Sequence, residues 1–169
     1  MIHQLTIAQF SKMLHNLSKL FDQAALHAEA KKFDLAVLLQ ARLAPDQLPL
    51  VRQIQIACDT AKLGVARLTG KDAPVHEDNE KTVAECKARI ESVIGYLQSF
   101  TEKDFAGYEA RQVTTPRWNG KWLTGEEYAV QHVIPNFYFH VTTAYAILRH
   151  NGVDIGKKNY LGDMPYKGG

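Results

Sequence analysis

Cysteine is nearly absent. Cys58 and Cys86 are the only two in 169 residues, and neither has a second cysteine close by, which excludes a zinc ribbon or a redox pair. Both fall at apolar positions of helical patterns, so they read as small buried side chains in a reducing cytoplasm. An excess of one charge is also missing. Lys and Arg number 20 against 18 Asp and Glu, a net charge of +2, with no block of like charge. Nucleic acid is therefore not an expected partner, because phosphate affinity calls for clustered Lys and Arg. No apolar run approaches the roughly 18 residues of a membrane span, and no basic segment leads into an apolar one at the start. Neither membrane insertion nor secretion is expected, and the cytoplasm is the expected location. A nucleophile elbow around a serine and a phosphate-cradling glycine loop are lacking. Asp46 and Asp59 are single carboxylates with no visible acidic partner, so paired acid/base work is not indicated.

What is present is helical periodicity. The length suits one domain over residues 1–169, and a chain of this mass buries about 70 % of its unfolded surface. Ile7, Phe10, Met13, Leu14, Leu17, Leu20, Phe21 and Ala24 form a first stripe, with His15 opposite it and His27 at its edge, within reach of a cleft. Residues 33–44 are apolar without a clear period and read as a buried connection or a short helix. A second helix follows Pro49, placed in its first turn, with the stripe Leu50, Ile54, Ala57, Cys58, Ala61, Val65 and Leu68. Residues 69–79 read as a loop. Thr82 to Glu85 match a capping box ahead of a third helix with Val83, Cys86, Ile90, Val93, Ile94 and Leu97 inward.

Between that helix and the next lies Asn119-Gly120, flanked by Trp118 and Trp122. Asn-Gly is the strongest short hairpin signal, because both turn positions take positive φ. A two-stranded ribbon is expected there, packing its two tryptophans onto the bundle as a lid, a reading favoured over a stacking platform. A second capping box, Thr124 to Glu127, opens the fourth helix, and Asn151-Gly152 ends it. Pro135 inside it predicts a kink. The tail beyond Gly152 reads as irregular. The expected class is all-α, a four-helix bundle with a short β-ribbon between the third and fourth helices.

The fourth helix is apolar over a broad arc, which places it at the centre of the fold or across a subunit interface. Its informative sector carries His132, Asn136, His140 and Thr143. Buried polar groups need partners, since each one left unsatisfied costs about 1–3 kcal/mol. A neighbouring helix, a small polar ligand or a metal could supply them. His132 and His140 are eight residues apart, about 12 Å along a helix, too far for both to grip one ion readily. The pairs at i,i+4 are His132 with Asn136 and Asn136 with His140. An amide is a weak ligand for metals that favour imidazole. The second helix offers only Gln53, another amide. Spacing alone thus argues against a complete metal site; a site that did form would use His140 and Asn136, helped by Gln53 or His27.

The stretch from Asn136 through His140-Val141-Thr142-Thr143 to Asn151-Gly152, with Arg42-Leu43-Ala44-Pro45-Asp46-Gln47 and Ala57-Cys58-Asp59-Thr60-Ala61-Lys62, resembles the DinB/YfiT-like superfamily. Within it, the chain looks most like a bacterial subfamily known only as a domain of unknown function. The resemblance covers nearly the whole chain and implies a four-helix bundle. In metal-binding members, one histidine on the second helix and an H-x-x-x-H pair on the fourth hold an ion, commonly nickel or zinc. Some of these are thiol-dependent transferases and others resemble hydrolases. Carried onto this sequence, the pair falls on Asn136 and His140, or on His132 and Asn136. Only one histidine matches either way, and the second-helix histidine is missing. Similar proteins form dimers through bundle helices, so a homodimer is expected. Three functions follow: a binder of a small polar ligand in the bundle cleft, a divalent-metal-dependent transferase or hydrolase, and a structural dimer with a satisfied polar network.

Overall fold

The computed structural model describes residues 1–168. Helix α1, Gln9–Lys31, continues from a π-helical turn at Gln4–Ala8 and buries the expected stripe from Phe10 to Ala24. It stops at Lys32, which takes a left-handed φ of 59°. The aperiodic stretch that follows is a 3-10 helix, Leu35–Gln40. Its first turn is held by the Asp34 carboxylate, which accepts from the N–H of Ala36. Helix α2, Leu50–Thr69, has Pro49 as its N-cap, one position before the first turn, and ends at Gly70 with φ +72°. Helix α3, Val83–Gln98, opens on the Thr82/Glu85 capping box. Each box satisfies two backbone donors that a helix start otherwise leaves open.

Strands β1, Gln112–Val113, and β2, Leu123–Thr124, pair antiparallel, with Gln112 opposite Thr124 and Val113 opposite Leu123. Asn119 and Gly120 both take positive φ, 51° and 83°. They form the tip of a longer excursion over residues 114–122 and not a two-residue turn. The expected lid is half realised. Trp118 packs inward on Tyr128, whereas Trp122 stays 53 % exposed.

The fourth bundle helix runs as α4, Gly125–Tyr128, a π-helical turn at Ala129–Val133, and α5, Ile134–His150. In the π turn, Ile134 donates its N–H to the carbonyl of Ala129, five residues back. Pro135, which lacks an N–H, follows at once and falls in the first turn of α5. The chain therefore absorbs the missing donor where the winding is already wide. Gly152, at φ +88°, ends the helix as expected. Beyond it the tail is not irregular: Val153 and Ile155 are buried, and a short helix α6, Lys157–Leu161, packs on α1. Asn16 fastens it by donating to the carbonyl of Tyr160 at 3.0 Å.

These helices form the expected four-helix bundle, with α2 against α5 as the most extensive pairing. Phe10 and Phe137 stack at 4.1 Å in its middle. Gly64 lets the fourth helix come close to α2: a Cβ there would stand 2.6 Å from a methyl of Val133. Among the described residues no helix is long and apolar enough to cross a membrane.

Charge scattered along the sequence gathers in space. Arg89, 3 % exposed on α3, donates to Asp59 at 2.9 Å and to Asp78 and Glu80 at 3.0 Å each. Asp59 also takes Lys62 at 3.0 Å, Asp78 also takes Arg52, and Gln55 donates to Glu80 at 2.7 Å. Asp59 is thus not the isolated carboxylate its sequence position suggests. This cluster holds the connection over residues 70–82 onto α2 and α3. Burial works to raise the pKa of Glu80, but the hydrogen bonds from Arg89 and Gln55 outweigh it and hold the carboxyl below its usual range.

Candidate functional site

The polar sector of the fourth helix meets α2 in direct hydrogen bonds. Asn136 donates from Nδ2 to Thr60 Oγ1 at 2.8 Å. One turn on, His140 is buried, and its Nδ1 lies 2.7 Å from Gln53 Oε1. Gln53 is itself fixed, because its Nε2 donates to the carbonyl of Leu48 at 2.9 Å. A backbone carbonyl can only accept, so the amide must turn its NH2 towards Leu48 and its oxygen towards the imidazole. His140 therefore carries its proton on Nδ1 and leaves Nε2 as a bare lone pair. Thr143 returns its hydroxyl to the carbonyl of Phe139 at 2.7 Å, a local bond within the helix.

His132 does not join this group. Its ring stacks on Tyr128 at 5.4 Å and meets Trp118 edge-on at 5.6 Å. Its Nδ1 is enclosed with no hydrogen-bond partner. Arg67 donates to the Tyr128 hydroxyl at 2.9 Å, and burial together with the Arg67 charge lowers the His132 pKa. The reason for the separation is the π turn. A regular α-helix puts residues 132, 136 and 140 in one sector, but the wider turn at Ala129–Val133 shifts the phase ahead of Asn136. His27 also lies elsewhere, edge-on to Phe33 at 5.7 Å and beside the Gly152 turn. His15 is exposed as expected, and the Cys58 and Cys86 thiols are buried and free.

Burial lowers the His140 pKa to about 4, well under the usual 6.5. The imidazole is thus neutral across the physiological range. The unfolded chain takes up this proton as pH falls through about 6.5, while the folded chain resists until about 4. Stability from His140 is therefore full above pH 6.5 and is lost towards pH 4, an effect of about 2–3 kcal/mol. Urea unfolding at pH 7.0 and pH 5.0 should show this loss, and His140→Gln should reduce it markedly. An unaltered pH dependence in that variant would remove His140 as its source. His76 and His132, whose pKa values are also lowered, contribute in the same direction.

The residues present do not fit a divalent ion of the kind the family resemblance implies. The sector offers one imidazole and two amides; the Gln53 oxygen is already taken by His140, and the Asn136 oxygen is a weak ligand for metals that favour imidazole. Among the described residues, no three His, Cys, Asp or Glu side chains gather as ligands. Two partners escaped the sequence reading. Thr60 is one polar residue among several on α2, and the Leu48 carbonyl has no signature in any sequence.

A hollow of about 480 Å³ lies alongside, lined by Leu43, Tyr138, Phe139, Thr142, Thr143 and Ala146. It shares Thr143 with the polar sector and Phe139 with the His140 ring, which that side chain meets edge-on at 5.1 Å.

Comparison with known proteins adds the family context. Residues 2–161 match the family model described as a domain of unknown function, DUF1993. Among solved structures, the chain is similar to a DinB family member protein from Shewanella denitrificans. The two share 60 % identity over 100 % of this chain and 96 % of the other, with a TM-score of 0.97. No curated protein matches it.

Proposed function

Because the chain belongs to the DUF1993 family of DinB-like helical bundles, we propose that it binds a small polar ligand in the cleft between α2 and α5, without a complete metal site. His140 is its central contact. The observation that carries this reading is the Leu48–Gln53–His140 relay, which fixes a neutral imidazole with its Nε2 lone pair unclaimed. Such a group accepts a hydrogen bond from a ligand N–H or O–H. Gln53 orients it, and Asn136 and Thr143 offer further polar atoms to either side. The neighbouring hollow falls within the usual range of small-molecule sites, about 300–1,000 Å³, and its apolar walls suit the body of such a ligand.

Two measurements test this. Long-range 1H–15N spectra should show His140 protonated on Nδ1 alone at pH 7, and ligand hits from a thermal-shift screen of polar compounds should move its Nε2 resonance. The same hits should bind His140→Ala at least about 10-fold more weakly, the effect of losing about 1.4 kcal/mol. Unchanged affinity for every hit favours the structural reading, in which the sector is only a satisfied network. The Asn136–Thr60 and Thr143–Phe139 bonds support that second reading.

The homodimer is part of the same proposal. Leu43, Leu48 and Phe139 are large, exposed apolar side chains near the cleft, and a second copy seated on them would close its mouth. Light scattering should give twice the 19.0 kDa chain mass, and Phe139→Glu should return it to one. The buried free thiols suit the cytoplasm as the site of action.

A further inference from the structure

Both tryptophans of the chain, Trp118 and Trp122, stand on one short excursion. That excursion is braced. Thr114 Oγ1 donates to the carbonyl of Lys121 at 2.7 Å, and the Lys121 N–H donates to the carbonyl of Trp118 at 3.0 Å. Trp118 is held from the bundle side by Tyr128 at 5.9 Å and by His132. Trp122 lacks such cover and is more than half exposed.

A hollow of about 450 Å³ opens among these residues, walled by Trp118, Trp122 and Leu123 and completed by Arg117, Asn119 and Lys121. Its walls are aromatic and aliphatic, its only charges are two cations, and no carboxylate lines it. It shares no lining residue with the cleft beside His140.

We propose that this hollow is a second small-molecule site, selective for a planar organic anion of the aromatic carboxylate class. The ring of the ligand lies against the two indoles, which favour offset or edge-on aromatic partners. Its carboxylate is taken by Arg117, whose guanidinium can pair with both oxygens, and by Lys121. A neutral ring gains the stacking alone, and a cation meets like charge. An anion without a ring leaves the apolar walls unused. The chemistry therefore asks for both features in one ligand.

The test follows from the composition. With two tryptophans in the chain, a 1H–15N spectrum has two indole N–H signals, and both report on this site. Titration with 2-naphthoate should move both signals saturably, with a dissociation constant below about 1 mM. The uncharged 2-naphthamide should bind at least about 10-fold more weakly, as should the Arg117→Ala/Lys121→Ala and Trp122→Ala variants to 2-naphthoate. These three side chains are exposed, so the variants fold as the parent does. Absence of saturable shifts up to about 10 mM, or equal affinity for naphthoate and naphthamide, would overturn the proposal.

Discussion

Arg89→Met is expected to lower the stability of the fold by about 3–5 kcal/mol, the cost of leaving a buried charge without its partner. The geometry says which charge suffers. Asp59 keeps Lys62 and Asp78 keeps Arg52, but Glu80 loses its cation and retains neutral partners, the amide of Gln55 and a backbone N–H. Methionine fills much of the volume, so the loss is electrostatic more than steric. The pH dependence identifies it. In the wild type, Glu80 is held below its usual range, so its contribution is complete above about pH 4.5 and fades as pH falls below that. In the variant, burial is opposed by the weaker neutral hydrogen bonds alone, and the same pKa rises. The gap between the two proteins should be widest near pH 7 and narrow towards pH 4. Adding Glu80→Leu to Arg89→Met should recover part of the loss, a coupling that a double-mutant cycle measures. A deficit that is flat in pH, or no recovery in the double variant, would place the effect elsewhere.

Phe137→Ala should be comparably severe, about 3–5 kcal/mol. Phe137 is fully buried and lies against Phe10 at 4.1 Å, so the substitution removes a ring from the seam between α1 and α5 and forfeits the stacking as well. In a chain of this size the melting temperature should fall by about 10 °C or more. The denaturant slope should stay unchanged, because the native fold is looser only at the cavity. A loss below about 1 kcal/mol would mean that the neighbouring Tyr138 ring, 5.4 Å away, swings in to fill the space.

Much of the architecture was written in plain periodicity. The stripes of the first three helices, both capping boxes, the positive φ at Asn119 and Gly120 and the Gly152 stop depend on neighbours a few residues away, and local rules suffice for them. The site was less legible. Gln53 and His140 were both marked as polar residues in apolar surroundings, but what joins them is a backbone carbonyl at Leu48. His132 was grouped with them on the assumption of an unbroken α-helix, and the widened turn before Pro135 separated it. Arg89 offered a signal that could have been read. It falls three residues after Cys86 and beside Ile90, on the inward face of α3, where an uncompensated guanidinium would be costly. Its partners sit on a loop and on another helix, so no local pattern could name them.

The spacing between α2 and the fourth helix is gauged by a residue with no side chain. Gly64 stands about three turns beyond Gln53, and its missing side chain lets Val133 come to rest directly on the backbone. That contact works as a shim of zero thickness. The two helices are thereby held in near contact at that point, so a ligand that reaches His140 must be thin where it meets α2.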